Sequence, residues 1–327
     1  MFFQRGFGGY ALGALAALAM LLAASTSRAD TAVSSCMTLS SPGNYFLTKN
    51  LTSAGTCIVI GAEGVSFDMQ GHTITGNGSG DGITDGGSHF ESMAIANGKI
   101  RNFSVGVGLD HSCCVVIRNI DSSKNAATGI LVGNCCGTID SVTANNNGGD
   151  GIDAFDCCFT LNSIQANNNG GGGVISKSII LNHTACCTSL SNSSVSGNTG
   201  VGVDMENGFN YLVSSTVQKN GADGADLSGS CCNYVVDSTV TGNTGDGMHL
   251  TGNHNLVTSS KANRNTGIGI FLRTTENQIT SSQATGNGGA GADVGCPGAI
   301  TGLNAKGNTG TSLTTSGGVC TELNNTL

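Results

Sequence analysis

The chain has 327 residues, of which 52 are Gly, 14 are Cys, two are Pro and none is Trp, and charged residues make up only 10%. Thirteen Lys and Arg against 21 Asp and Glu leave a formal net charge of −8, which argues against nucleic acid or an anionic membrane as partner, since both need clustered basic residues. Low charge with abundant Gly would suit a disordered chain, but evenly spaced β-branched residues argue for packed structure.

The first residues read as an export leader. Arg5 supplies a positive start, Tyr10 to Ala24 is an Ala/Leu-rich run too short for a good membrane span, and Ser27-Arg28-Ala29 ends in a small-x-small pattern before Asp30. Residues 1–29 are predicted to be a signal peptide, whose loss removes two arginines and no acid. The expected product is secreted or periplasmic, with no transmembrane segment after cleavage. Residues 30–95 are assigned to an N-terminal cap and opening coils, and residues 96–327 to repeats with a C-terminal cap. Fourteen cysteines fit an oxidising compartment.

Within the repeats a Gly-x-Gly-apolar unit keeps a beat of about 22 residues. Its second glycine falls at Gly108, Gly151, Gly202, Gly224, Gly247, Gly269 and Gly291, and Gly129 and Gly173 fill the missing beats. A fixed period of this size marks a repeat architecture. Each repeat holds three short β-type runs separated by Gly or Asn, and none has a helical period. Stacked as coils, the repeats direct Ile152, Leu161 and Ile164, then Val203, Leu212 and Val217, into one continuous core. An asparagine precedes each glycine unit, at Asn147, Asn169, Asn198, Asn220, Asn243, Asn265, Asn287 and Asn308. Asparagine tolerates left-handed bends and can bond its own kind one coil away, so this row is predicted to be a structural ladder.

Cysteine pairs follow the same beat at Cys113-Cys114, Cys135-Cys136, Cys157-Cys158, Cys186-Cys187 and Cys231-Cys232. Side chains alternate along an extended segment, so two sulfur rows are expected over four consecutive coils. Structural packing with partial cross-linking, a soft-metal site and redox chemistry all remain open. Cys36 with Cys57, and Cys296 with Cys320, lie outside the row and are expected to be disulfide staples at the two ends.

Just after the glycine unit stand Asp110, Asp153, Asp204, Asp226, His249 and Asp293. The apolar residue before each points inward, so this row is predicted to point outward. Carboxylates stacked this closely raise one another's pKa or recruit a cation such as calcium. Asp204, Asp226 and His249 are the candidate catalytic residues, and Asp153 joins them as a candidate ligand-binding residue. The coil between Gly173 and Cys186 is about seven residues longer than its neighbours. Its extra segment, Ser176 to His183, is expected to overhang the row and add His183 to it.

The Asn-x-x-Gly-x-Gly-Ile rhythm carries a family resemblance, as do the stretches Gly43-Asn-Tyr-Phe-Leu-Thr-Lys-Asn-Leu51 and Val65-Ser-Phe-Asp-Met-Gln-Gly-His-Thr-Ile74. Over about residues 42–312 the chain resembles the right-handed β-helix repeats of exported bacterial proteins. These are the NosD-like, carbohydrate-binding-and-sugar-hydrolysis group, with its pectate-lyase-like architecture. The expected fold class is all-β, a single-stranded right-handed parallel β-helix (solenoid) with about eleven coils of about 22 residues. The resemblance also implies copper handling, for which Cys113, Cys135, Cys157 and Cys186 would be the thiolate ligands. Pectin hydrolases of this architecture carry Asn-Thr-Asp, Asp-Asp, His-Gly and Arg-Ile-Lys; here Asn198-Thr-Gly and Asn243-Thr-Gly stand instead, and Asp-Asp and Arg-Ile-Lys are absent. The Asp-Pro-His of alginate epimerases is echoed only by Asp110-His111-Ser112. The expectation is an exported scaffold, non-catalytic and needing no cofactor, that contacts polysaccharide or the cell envelope. A polysaccharide lyase or glycoside hydrolase acting on acidic polysaccharide, and a periplasmic copper-handling protein, are the alternatives.

Overall fold

Runs of three to five extended residues fenced by Gly, Asn or Ser cannot bury an apolar face alone, so each must pair with its counterpart one repeat away. The computed structural model describes residues 30–133, 136–155, 158–177, 187–206, 208–229 and 231–327. The expected signal peptide, Cys135, Cys157, Cys186 and His183 lie outside these residues. Among those described there is no helix, and every strand pair is parallel, from Thr31–Val33 on Gly43–Leu47 to Ala299–Thr301 on Thr321–Leu323. The strands stack into sheets of 16, 13 and 5 members, which form the faces of a β-solenoid of about twelve turns.

The core matches the pattern in the sequence. Ile152, Leu161, Ile164, Val203, Leu212 and Val217 are each at most 1% exposed. Down one corner runs a buried amide ladder, in which each Asn Nδ2 donates to the Oδ1 of the asparagine one coil further on. It begins at Asn125, passes through Asn147, Asn169, Asn198, Asn220, Asn243, Asn265 and Asn287 and ends at Asn308, with N···O distances of 2.9 to 3.2 Å. Each Oδ1 also accepts a backbone N–H from the preceding coil, as in Asn198 N to Asn220 Oδ1 at 3.1 Å. The left-handed bend falls one residue earlier than expected, at Asn146, Asn168, Lys219 and Arg264, or on Gly197, Gly242 and Gly286. A shorter ladder, Asn210-Asn233-Asn255-Asn277, supports a second corner.

The ladder also explains the glycine beat. A Cβ added at Gly224 would lie 2.5 Å from Asn243 Nδ2 and 2.8 Å from Gly247 O. No side chain fits between the amide row and the next strand, whatever the backbone torsions allow. The ends are stapled as expected by Cys36–Cys57 and Cys296–Cys320, with Cα atoms 4.5 and 5.1 Å apart.

Replacing Asn220 by Ala removes Asn198's acceptor and leaves buried N–H groups unpaired. We expect a loss of about 1–3 kcal/mol in urea unfolding. Thr160→Ala on the exposed side of its strand should stay within about 0.5 kcal/mol.

Candidate functional site

Strands of the 13-stranded sheet bury their first and third residues and turn the middle one outward, as in Ile152–Ala154, Ala225–Leu227 and Met248–Leu250. The middle residues stack in register: Leu131, Asp153, Ile175, Asp204, Asp226, His249, Phe271, Asp293 and Thr314. The predicted row therefore exists, and Asp204, Asp226 and His249 occupy three successive coils. Asp110 is not part of it. Gly108 holds that slot, opposite Leu131, because the strand ends at Leu109 and the chain has already turned at Asp110.

Stacked coils bring like positions to about 4.8 Å, so each carboxylate needs a neutralising neighbour. Lys177 reaches two coil positions, with Nζ 2.6 Å from Asp204 Oδ2 and 2.7 Å from Glu206 Oε1. Arg273 places Nε and Nη2 2.9 and 2.8 Å from Asp293 Oδ2 and lays its guanidinium over Phe271, 5.1 Å from the ring centre. His249 meets Phe271 edge to face at 4.6 Å, and its Nδ1 lies 3.8 Å from Asp223 Oδ2. Asp223 belongs to a second acidic column with Asp150 and Asp246, whose Oδ1 atoms cap backbone N–H groups of the next coil at 2.6 Å. The sequence signal for that column was Asp before the second glycine of a beat.

The environment moves these groups in different directions. Burial, with Asp150 nearby, pushes Asp153 up to about 6. Burial does the same to Asp226, also to about 6, with His249 opposing and Asp204 adding to the rise. Asp204 is raised by burial in spite of Lys177. Contact with the His249 ring lowers Asp223, and the same contact raises His249. Asp204, Asp226 and Asp293 each keep one buried oxygen without a hydrogen-bond partner, an arrangement that costs stability and often marks a working site.

Asp223, Asp226 and His249 present three ligand atoms within 4.8 Å of one another. Two carboxylates and an imidazole suit a borderline divalent ion better than calcium, which takes six to eight oxygens. Asp85, Asp110 and His111 form a similar group. There the Asp85 oxygens already accept from His111 N, Ser112 Oγ and Gly87 N. The second member of each cysteine pair also falls into register. Val115, Gly137 and Phe159 pair in turn and Thr160 pairs with Ser189, so Cys114, Cys136, Cys158 and Cys187 occupy one column. Phe209, Cys232, His254 and Glu276 continue it. Cys113 is disulfide-bonded, so its sulfur is no thiolate ligand, and the other three proposed copper ligands lie outside the described residues.

The family described as right handed beta helix region matches residues 178–327. No curated protein matches the chain. Among solved structures, the A-module of a mannuronan C-5 epimerase from Azotobacter vinelandii superposes with a TM-score of 0.60 at 14% identity, covering 87% of this chain and 90% of its own. A mutant of a periplasmic alginate epimerase gives 0.55 at 13% identity over 86% of this chain and 76% of its own. The Dettilon tailspike protein gives 0.54 at 13% identity over 88% and 60%. At these identities the likeness establishes the parallel β-helix fold. No helix among the described residues is long and apolar enough to cross a membrane.

An acid whose folded pKa exceeds its unfolded value destabilises the fold as it ionises. The Asp226 contribution should therefore fall as pH rises from about 4 to about 6, and stability should fall further at higher pH as His249, raised above its ordinary value, loses its proton. Asp226→Asn should flatten part of this decline and be more stable than wild type at pH 7.5, by about 1 kcal/mol after solvent screening. Urea unfolding at several pH values measures both effects.

Proposed function

We propose that the chain is an exported β-helical scaffold that binds polysaccharide along the outward row of the 13-stranded sheet. The observation that carries this reading is the row itself. From Asp153 to Asp293 it sets one middle side chain per coil in register at about strand spacing. Asp153, Ile175, Asp226, His249 and Phe271 are partly exposed, while Asp204 and Asp293 are buried against Lys177 and Arg273. An extended polymer meets such a line with successive residues, and the solenoid holds the side chains in place at little ordering cost. Phe271 supplies an apolar ring among hydrogen-bonding carboxyls, the mixture that sugar rings use. The end staples support a location outside the cytoplasm. The structural neighbours named as alginate epimerases and a tailspike agree with a carbohydrate ligand.

Charge narrows the ligand. Asp150, Asp153, Glu206, Asp223, Asp226 and Asp246 join Asp204 and Asp293 on or beside this face, while Lys177 and Arg273 are both engaged by carboxylates. Neutral or amino-bearing sugars fit that balance better than polyuronates. Binding without turnover is the reading we favour, because both fixed cations are already paired. One observation favours catalysis as the second reading: the Asp226 carboxyl, at about 6, lies beside the His249 imidazole, which is raised above its ordinary value, so the two form an acid–base pair.

Affinity electrophoresis through gels containing neutral, amino and uronate polysaccharides tests both readings. Retardation by a neutral or amino polymer should weaken about tenfold or more in Phe271→Ala, a loss of at least ~1.4 kcal/mol. No retardation by any class would overturn the binding proposal. New reducing ends or unsaturated products that vanish in Asp226→Asn would establish the catalytic reading instead.

A further inference from the structure

The same coil register that builds the acidic row also matches cysteines. Cys36 and Cys57 are register partners on adjacent parallel coils, since Met37 pairs with Ile58, and they are disulfide-bonded with Cα atoms 4.5 Å apart. This fold therefore accommodates a disulfide between stacked coils. Cys158 and Cys187 stand in the same relation: Thr160 pairs with Ser189 and Leu161 with Leu190, a step of 29 residues that Cys158 and Cys187 share. The Cys187 backbone N–H donates to Cys158 Sγ at 3.2 Å, Cys187 is exposed, and Cys158 is half-buried. Both are thiols in this structure.

Their position gives the pair a consequence. Ser176 and Thr188, both fully buried, join hydroxyls at 3.0 Å across the base of the longest coil. The residues immediately beyond this clamp are Lys177, which holds Asp204 and Glu206, and Cys187. We propose that Cys158 and Cys187 are a modification site at which oxidation forms an inter-coil disulfide that locks the end of the long coil onto the coil before it. One thiolate attacks a small-molecule disulfide and displaces its first thiol. The second cysteine then attacks the mixed disulfide and displaces the other. Two protein thiols become one disulfide, and the reagent is reduced to two thiols. Burial and the adjacent Cys158 sulfur hold the Cys187 thiol above its ordinary value, so the exchange is slow and its product serves as a lock.

The test uses the full chain equilibrated in oxidised glutathione, then denatured, alkylated and mapped by mass spectrometry. Wild type should show neither Cys158 nor Cys187 alkylated. Cys187→Ser should leave Cys158, and Cys158→Ser should leave Cys187, as a free thiol or as its glutathione mixed disulfide and never bonded to another protein cysteine, with Cys36–Cys57 and Cys296–Cys320 intact as the folding control. The oxidised wild type should also resist tryptic cleavage after Lys177 several-fold longer than either variant. Alkylation of both cysteines in oxidised wild type would overturn the proposal. So would a disulfide from Cys158 to another protein cysteine in Cys187→Ser, which would assign it a different partner, or retention of a stoichiometric soft metal that protects the pair.

Discussion

The structure depends on the register between coils, and the register depends on a buried amide column. An asparagine inside a corner has two donors and an acceptor that must all be satisfied away from water, and identical amides on the neighbouring coils together with a backbone carbonyl satisfy them. Nine such residues bonded in series give the coils one alignment. A slip of one residue would break every link and turn each apolar anchor outward. The glycine beat follows from the same column, because the backbone approaches the amides too closely for any Cβ.

Register that stacks apolar side chains inside stacks the outer ones just as strictly. Where the outward residue is an acid, the fold creates its own electrostatic problem. The structure relieves it from three directions: Lys177 from the long coil, Arg273 across a neighbouring ring, and His249 within the row itself. Asp153 and Asp226 are relieved least and keep their protons to the highest pH. The part of the molecule best suited to meet a ligand is thus also the part that costs the fold most.

Sulfur obeys the same alignment. Cys36 and Cys57 are joined by register at an end of the solenoid, and Cys158 and Cys187 stand in the same register as thiols at the longest coil. That coil tolerates its extra length because a solenoid asks each turn only to return in phase. The Ser176–Thr188 contact restores that phase at its base.

By itself the sequence determined the all-β solenoid, the inward anchors, the amide ladder, the end staples and the row containing Asp153, Asp204, Asp226 and His249. These follow from period and side-chain alternation, which are properties of the chain read locally. Only the tertiary structure decided that Asp110 falls past its strand, that Asp223 faces His249, and that Lys177 and Arg273 neutralise Asp204 and Asp293. Such contacts join a flexible side chain on one coil to a group on another, and no spacing along the chain encodes that reach. Asn125 and the Asn210 ladder escaped for a related reason: they lack the flanking glycines, and their role appears only when coils are laid against one another. Period fixes which way a side chain points, while the partner it meets is set by the packing of the neighbouring coils.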